Sequence, residues 1–233
     1  MSAAILLAAG IGARCTRPGD KSPKQFMSIG KNPVWVWPFL ALAKHQGIDR
    51  IVIATLPEMV DAIRTQVQSL PCNKEVTVTA GGATRQESVR LSLKVLETFS
   101  PEFVVIHDAA RPFLTEQIIS DTLEGVQRYG ACTTAVTASD TVKKVANDVI
   151  VETLDRNSLV LVQTPQAARF DWLIKAHEKA HQAGITATDD AAILEQAEHK
   201  VVVVKGSPHN LKITQREDLA LADALASIMF ERV

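Results

Sequence analysis

Short runs of aliphatic and β-branched residues recur along the chain, separated by longer stretches with apolar positions three and four apart. The short runs predict strands at Ala4–Leu7, Arg50–Ala54, Val76–Thr79, Phe103–His107, Thr133–Val136 and Val201–Lys205. The longer stretches predict helices over Val34–Lys44, Glu58–Gln68, Arg85–Phe99, Thr115–Tyr129 and Phe170–Ala183. Thr84 with Glu87 opens the third of these with capping-box spacing, and Thr214 with Glu217 opens a last helix reaching about Ile228. Strands alternating with helices require right-handed crossovers and a mostly parallel sheet covered on both faces. The expectation is a single Rossmann-like α/β domain over residues 1–233.

One segment breaks the alternation. Val142–Val145 and Val149–Thr153 flank the turn pair Asn147-Asp148, which predicts a β-hairpin projecting as an arm at about residues 138–160. An isolated two-stranded hairpin is only marginally stable in water. The arm therefore needs something to pack on, and a second copy of the chain in a homodimer is the simplest supplier.

Composition narrows the class of function. Lys and Arg number 25 against 26 Asp and Glu, a balance that argues against binding nucleic acid or coating an anionic membrane. The longest apolar runs, Ala3 to Ala9 and Val34 to Ala43, fall well short of the roughly 18 residues of a membrane span. Met1-Ser2-Ala3-Ala4 lacks the basic start of a signal peptide. Cys15, Cys72 and Cys132 are odd in number and far apart, which fits reduced thiols, so a cytoplasmic location is expected.

The candidate chemistry gathers where strands end. The first strand runs into Ala8-Ala9-Gly10-Ile11-Gly12-Ala13-Arg14, small residues that let backbone approach a ligand and turn amides toward an anion. The dinucleotide fingerprint needs a third Gly where Cys15 stands, and the triphosphatase loop needs Gly beside Lys where Asp20 separates Gly19 from Lys21. Both patterns fail, which leaves a glycine-rich loop with cations Arg14, Lys21 and Lys24. His107-Asp108-Ala109-Ala110-Arg111-Pro112 follows another strand. A carboxylate there suits Mg²⁺, which takes hard oxygens and shares them with phosphates. Gly81-Gly82, with Arg85 and Ser88 beyond, offers backbone groups to a base at the same sheet edge. Lys212, between Leu211 and Ile213, either snorkels from a buried strand or points into the site. His177-Glu178-Lys179-Ala180-His181 matches a zinc-protease pattern, but Ala187 stands where a third His would fall. His177 also shares a helical stripe with Leu173 and Ile174, so a structural role is expected.

Together these segments resemble the nucleotidyltransferases that join CTP to a sugar or polyol phosphate, and most closely the methylerythritol phosphate cytidylyltransferase family of the non-mevalonate isoprenoid pathway. The resemblance runs from Ala8–Arg14 and Pro23-Lys24-Gln25 through Asp140-Thr141-Val142-Lys143, Asp155-Arg156-Asn157 and Gln163-Thr164-Pro165-Gln166. It continues to Thr188-Asp189-Asp190-Ala191 and Asn210-Leu211-Lys212-Ile213-Thr214. It departs mildly at Cys15, where a Met is usual, and at Val160, where a Trp is common. The resemblance implies catalytic roles for Arg14, Lys24 and Lys212, and Mg²⁺ held by Asp108. It implies cytidine contacts from Ala8, Ala9, Gly10, Gly12, Gly81, Gly82 and Ser88. Arg111 and Thr188 would face the polyol phosphate, with Thr141 and Arg156 reaching in from a partner subunit's arm. Ala9 and Ala110 favour methylerythritol phosphate over ribitol 5-phosphate as the acceptor.

Overall fold

A computed structural model describes residues 1–10 and 23–229; Gly12, Arg14 and Cys15 lie outside the described residues. Six parallel strands and one antiparallel strand form the main sheet. In chain order they are β1 (Ser2–Ala8), β4 (Arg50–Thr55), β5 (Glu75–Ala80), β6 (Phe103–Asp108), β7 (Ala131–Thr137), β10 (Val160–Arg169) and β11 (Val202–Lys205). A two-residue pair, β2 (Ser28–Ile29) with β3 (Asn32–Pro33), and the arm, β8 (Lys143–Ala146) with β9 (Val149–Thr153), stand apart. The helices are α1 (Val36–Lys44), α2 (Val60–Gln68), α3 (Arg85–Leu96), α4 (Glu116–Tyr129), α5 (Phe170–Gln182), α6 (Asp190–Gln196) and α7 (Glu217–Met229). None is long and apolar enough to cross a membrane.

The side-chain period of a strand sorts β1 between two layers. Ala4, Leu6 and Ala8 join one core with Trp35, Phe39 and Leu42 from the α1 segment, Ile63 of α2 and Leu123 of α4. Ala3 and Ile5 point the other way, to Val89 and Leu93 of α3, Leu173 of α5 and Ile193 of α6. A third cluster seats α7, through Ala222 and Ala226, on Ile29, Val34, Phe113 and Ile213. Sheet order is β11-β7-β10-β6-β1-β4-β5. The chain thus moves one way from β1 to β4 and β5, then returns to place β6 on β1's other side. Between β1 and β6 the order reverses, and the carboxyl ends of parallel strands at such a reversal form a ligand crevice.

Strand β10 differs from the sequence expectation, which placed none there. Pro165 cannot donate to a ladder, and Gln163 and Gln166 break the apolar alternation. The strand accommodates the proline at a register break between Val162 and Gln166 and pairs antiparallel with both β6 and β7. The last helix also starts differently. Asp218, not Glu217, closes the cap, its Oδ2 accepting from the backbone amides of Thr214 at 2.7 Å and Gln215 at 2.8 Å. The arm follows expectation, with Asn147 and Asp148 both at positive φ in a tight turn.

Candidate active site

A cleft of about 600 Å³ opens at the order reversal, and each wall comes from a strand end. Ala9 and Gly10 follow β1, Leu56 and Pro57 follow β4, Gly81 and Gly82 follow β5, and Asp108 and Ala110 close β6. Lys24, Gln25, Arg85, Ser88, Lys212 and Thr214 also line it.

The glycine wall is steric in origin. A Cβ on Gly81 would stand 2.4 Å from the Ala9 methyl and 2.8 Å from Ser88 Oγ, so only glycine lets these segments meet. Ser88 accepts from the Gly82 amide at 3.0 Å and donates to the Thr84 carbonyl at 2.9 Å. Thr84 caps α3 by accepting from the Glu87 amide, as its spacing predicts. Across the cleft, Gln25 Nε2 donates to the carbonyls of Ala8 and Gly10, both at 2.7 Å. That fork sets the path of the chain where it leaves β1. Ala8 itself turns its methyl into the core, and only its carbonyl serves the site.

The charged floor centres on Asp108, which is 6% exposed. Arg85 Nε donates to its Oδ1 at 3.0 Å and Lys212 Nζ to its Oδ2 at 2.6 Å. Burial pushes this carboxyl's pKa up, but the fields of Arg85 and Lys212 outweigh burial and hold it well below the usual range. Asp108 is therefore ionised. Burial acts on Arg85 in the opposite sense, lowering its pKa, yet Asp190 and Asp108 together raise it above the ordinary value.

Behind the floor, the Asp108 amide donates to Thr164 Oγ1 at 3.1 Å, and that hydroxyl lies 3.1 Å from His107 Nδ1. His107 Nε2 meets the Arg111 carbonyl at 3.0 Å, which assigns the ring proton to Nε2 and leaves Nδ1 to accept from Thr164. Burial pushes the His107 pKa down to about 4, so the ring is neutral near pH 7. The chain of bonds fixes the turn that presents Asp108, Ala110 and Arg111. Arg111 sends Nη1 to the Asn210 carbonyl at 2.7 Å, and burial lowers its pKa.

The structure thus brings together Ala9, Gly10, Lys24, Gly81, Gly82, Ser88, Asp108 and Lys212, as expected from the strand ends. Lys212 points into the cleft, which settles the alternative that it snorkels from the strand. Thr188 is exposed just before α6, outside the cleft lining, and Thr141 and Arg156 are exposed on the arm. Arg156 Nη1 donates to the Ser139 carbonyl at 2.8 Å within its own chain. Gln25 and the double pairing of Arg85 escaped sequence reasoning. The signal for Arg85 is its place at the first position of α3, where a cation opposes the helix dipole unless a carboxylate holds it. His177 takes the structural role expected for it, fully buried with Nε2 at 3.2 Å from Asp190 Oδ1.

Mg²⁺ fits this donor set only in a shared form. Asp108 supplies hard, ionised oxygens, but among the described residues no three His, Cys, Asp or Glu side chains cluster as a metal cage. An ion there would need phosphate and water oxygens beside Asp108, as Mg²⁺ commonly takes.

A glycine-walled cleft at the order reversal, lined by Lys24, Arg85, Lys212 and one ionised carboxylate, is the equipment of an α/β nucleotidyltransferase, and this chain is one. More narrowly, it belongs to the 2-C-methyl-D-erythritol 4-phosphate cytidylyltransferase family, whose model matches residues 2–227. It is 38% identical over 224 residues to a protein of that name from Bacillus mycoides, covering 96% of this chain and 97% of the relative. A relative of the same name from Acidobacterium capsulatum is 37% identical, with 94% of each chain covered. Among solved structures, the 4-diphosphocytidyl-2C-methyl-D-erythritol synthase of Anaerococcus prevotii superposes with a TM-score of 0.85 at 28% identity, covering 97% of this chain and 96% of that one. The Thermus thermophilus 2-C-methyl-D-erythritol 4-phosphate cytidylyltransferase gives 0.78 at 30% identity, covering 97% and 99%.

Proposed function

We propose that this chain joins CTP and 2-C-methyl-D-erythritol 4-phosphate, giving 4-diphosphocytidyl-2-C-methyl-D-erythritol and pyrophosphate for isoprenoid precursor synthesis. The observation that carries the reading is the family match over residues 2–227, on a chain where Ala9, Gly10, Lys24, Gly81, Gly82, Ser88, Asp108 and Lys212 line one cleft. An oxygen of the acceptor's phosphate attacks the α-phosphorus of CTP. The bond from that phosphorus to the bridging oxygen of the β-phosphate breaks, and pyrophosphate leaves with the electron pair. Such transfer asks the protein for positioning and charge stabilisation rather than covalent help.

Lys24 and Arg14 stabilise charge growing on the α-phosphate, and Lys212 bridges nucleotide and acceptor. Backbone at Ala8–Gly10, Gly12 and Gly81–Gly82, with Ser88 behind it, holds the cytidine. Asp108 would hold Mg²⁺, which would supply charge neutralisation to the triphosphate when bound. Arg111 and Thr188 face the acceptor.

The working enzyme is a cytoplasmic homodimer whose arms, at about 138–160, complete each other's sites. In support, Val145, Val149, Ile150 and Val151 each leave more than half their surface exposed on the arm, a patch that a partner copy would bury. Thr141 and Arg156 then reach the neighbouring subunit's acceptor site. Pyrophosphate release from CTP, measured with methylerythritol phosphate, with ribitol 5-phosphate and with no acceptor, tests the reading. Release with methylerythritol phosphate alone is expected; release with ribitol 5-phosphate in its place overturns the choice of acceptor.

A further inference from the structure

Arg85 stands between two buried carboxylates from different parts of the fold. Its Nε bonds Asp108 Oδ1 at 3.0 Å, and its Nη1 lies 2.8 Å from Asp190 Oδ2. Asp190 is 1% exposed and is fixed in turn. His177 Nε2 holds its Oδ1, and its backbone amide donates to Gln166 Oε1 at 2.9 Å. The two cations on Asp108 are therefore not equivalent. Arg85 is gripped from behind by an immobile anion, whereas Lys212 faces the open cleft with 38% of its side chain exposed.

A buried carboxylate stripped of its only counter-ion is strongly penalised. With Lys212 as the sole partner, passing Lys212 to a substrate would strand Asp108. We propose that Arg85 is a positioning residue: anchored on Asp190, it keeps Asp108 compensated and aimed at the cleft, so that Lys212 is free to move from Asp108 to a substrate phosphate. That move also uncovers Asp108 Oδ2 on the cleft side. A planar guanidinium suits the task because its fork spans two carboxylates, which a single ammonium does not. The inference rests on the cytidylyltransferase reading for the identity of the phosphates.

Removing Arg85 alone would strand Asp190 as well, so the informative variant is Arg85→Met/Asp190→Asn, compared with Asp190→Asn alone. Both are checked for folding by circular dichroism melting. Asp190→Asn loosens the anchor but leaves Arg85 on Asp108, and should lower kcat less than the double variant does. The double variant should lose about 10–100-fold in kcat, the range seen when a metal ligand loses its supporting partner. Its Kd for CTP, measured by calorimetry in EDTA, should rise about tenfold, because Lys212 now stays on Asp108. A double variant matching Asp190→Asn in both kcat and Kd would show that Arg85 merely neutralises Asp190, and would overturn the proposal. If the double variant does not fold, Arg85→Lys keeps the charge without the fork, and wild-type kcat and Kd in that variant overturn it equally. A wild-type protein inactive with CTP and every polyol phosphate would sink the cytidylyltransferase reading instead, and the calorimetric comparison would still decide the role of Arg85.

Discussion

Gln25 offers the sharpest single-atom perturbation in the molecule. Gln25 is 2% exposed, and one nitrogen supplies donors to two carbonyls, Ala8 and Gly10, at 2.7 Å each. Gln25→Glu preserves shape and volume but, when ionised, offers no hydrogen and faces both carbonyls with lone pairs. A buried acceptor left without a donor costs about 1–3 kcal/mol. Two such losses total roughly 2–6 kcal/mol, with the lower half favoured because the Gly10 carbonyl is partly open to water. Against a typical folding stability of about 5–15 kcal/mol, that is large.

The variant has one way to relieve itself: protonated, it regains one O–H donor. The fold thus favours the neutral carboxyl and raises its folded pKa above the unfolded value. The ionised-form penalty is complete above the folded pKa and shrinks as pH falls through it. Urea denaturation followed by circular dichroism at pH 8 and pH 5, for both proteins, measures this directly. The expected result is a deficit of a few kcal/mol at pH 8 that narrows by up to about 1 kcal/mol at pH 5, where the unfolded carboxyl, with a pKa of about 4.3, is still mostly ionised. A variant within about 0.5 kcal/mol of wild type at pH 8 would refute the fork as the fixture of this loop.

Three further outcomes follow from the same geometry. Gly81→Ala, which drives a methyl to 2.4 Å from Ala9 Cβ, should cost about 1–3 kcal/mol of combined stability and CTP binding, read as a raised KM for CTP. His107, held neutral by burial with a pKa of about 4 against 6.5 in the unfolded chain, makes unfolding easier in acid. Its share of stability is intact above pH 6.5 and about 3 kcal/mol is lost by pH 4, a slope that His107→Asn should flatten in pH-dependent melting curves. Mixing an Arg156→Ala chain with a Lys24→Ala chain should restore up to about half the wild-type activity per mixed dimer, since one site then carries both defects and the other neither. No recovery after confirmed subunit exchange would place Arg156 in its own subunit's site.

How legible this was from sequence depended on whether a residue's partners were local. The six parallel strands and the five long helices were readable because each carries its own apolar period, as in Ala3–Ala8, whose alternate residues serve two cores. The cleft was readable because glycine, carboxylate and cation motifs each follow a strand, and parallel strand ends converge. Strand β10 was not, because its order is imposed by β6 and β7 on either side while Pro165 and two glutamines argue locally against a strand. Gln25 sat in view between Lys24 and Phe26, but its purpose exists only across a gap of seventeen residues to Ala8. Arg85 and Asp190, far apart in sequence, meet only when α3 and α6 pack on the same sheet face. The arm's hairpin was local and readable, because its turn pair Asn147-Asp148 lies between the two strands it joins.

Phosphorus NMR of the complete reaction with CTP, Mg²⁺ and the acceptor shows whether this cleft transfers a cytidylyl group to methylerythritol phosphate. Paired resonances of a new diphosphate diester are expected to grow in step with pyrophosphate, one for one, while the acceptor's monoester signal disappears. Appearance of CDP and inorganic phosphate with the acceptor unchanged, or no reaction by a folded protein, would contradict it.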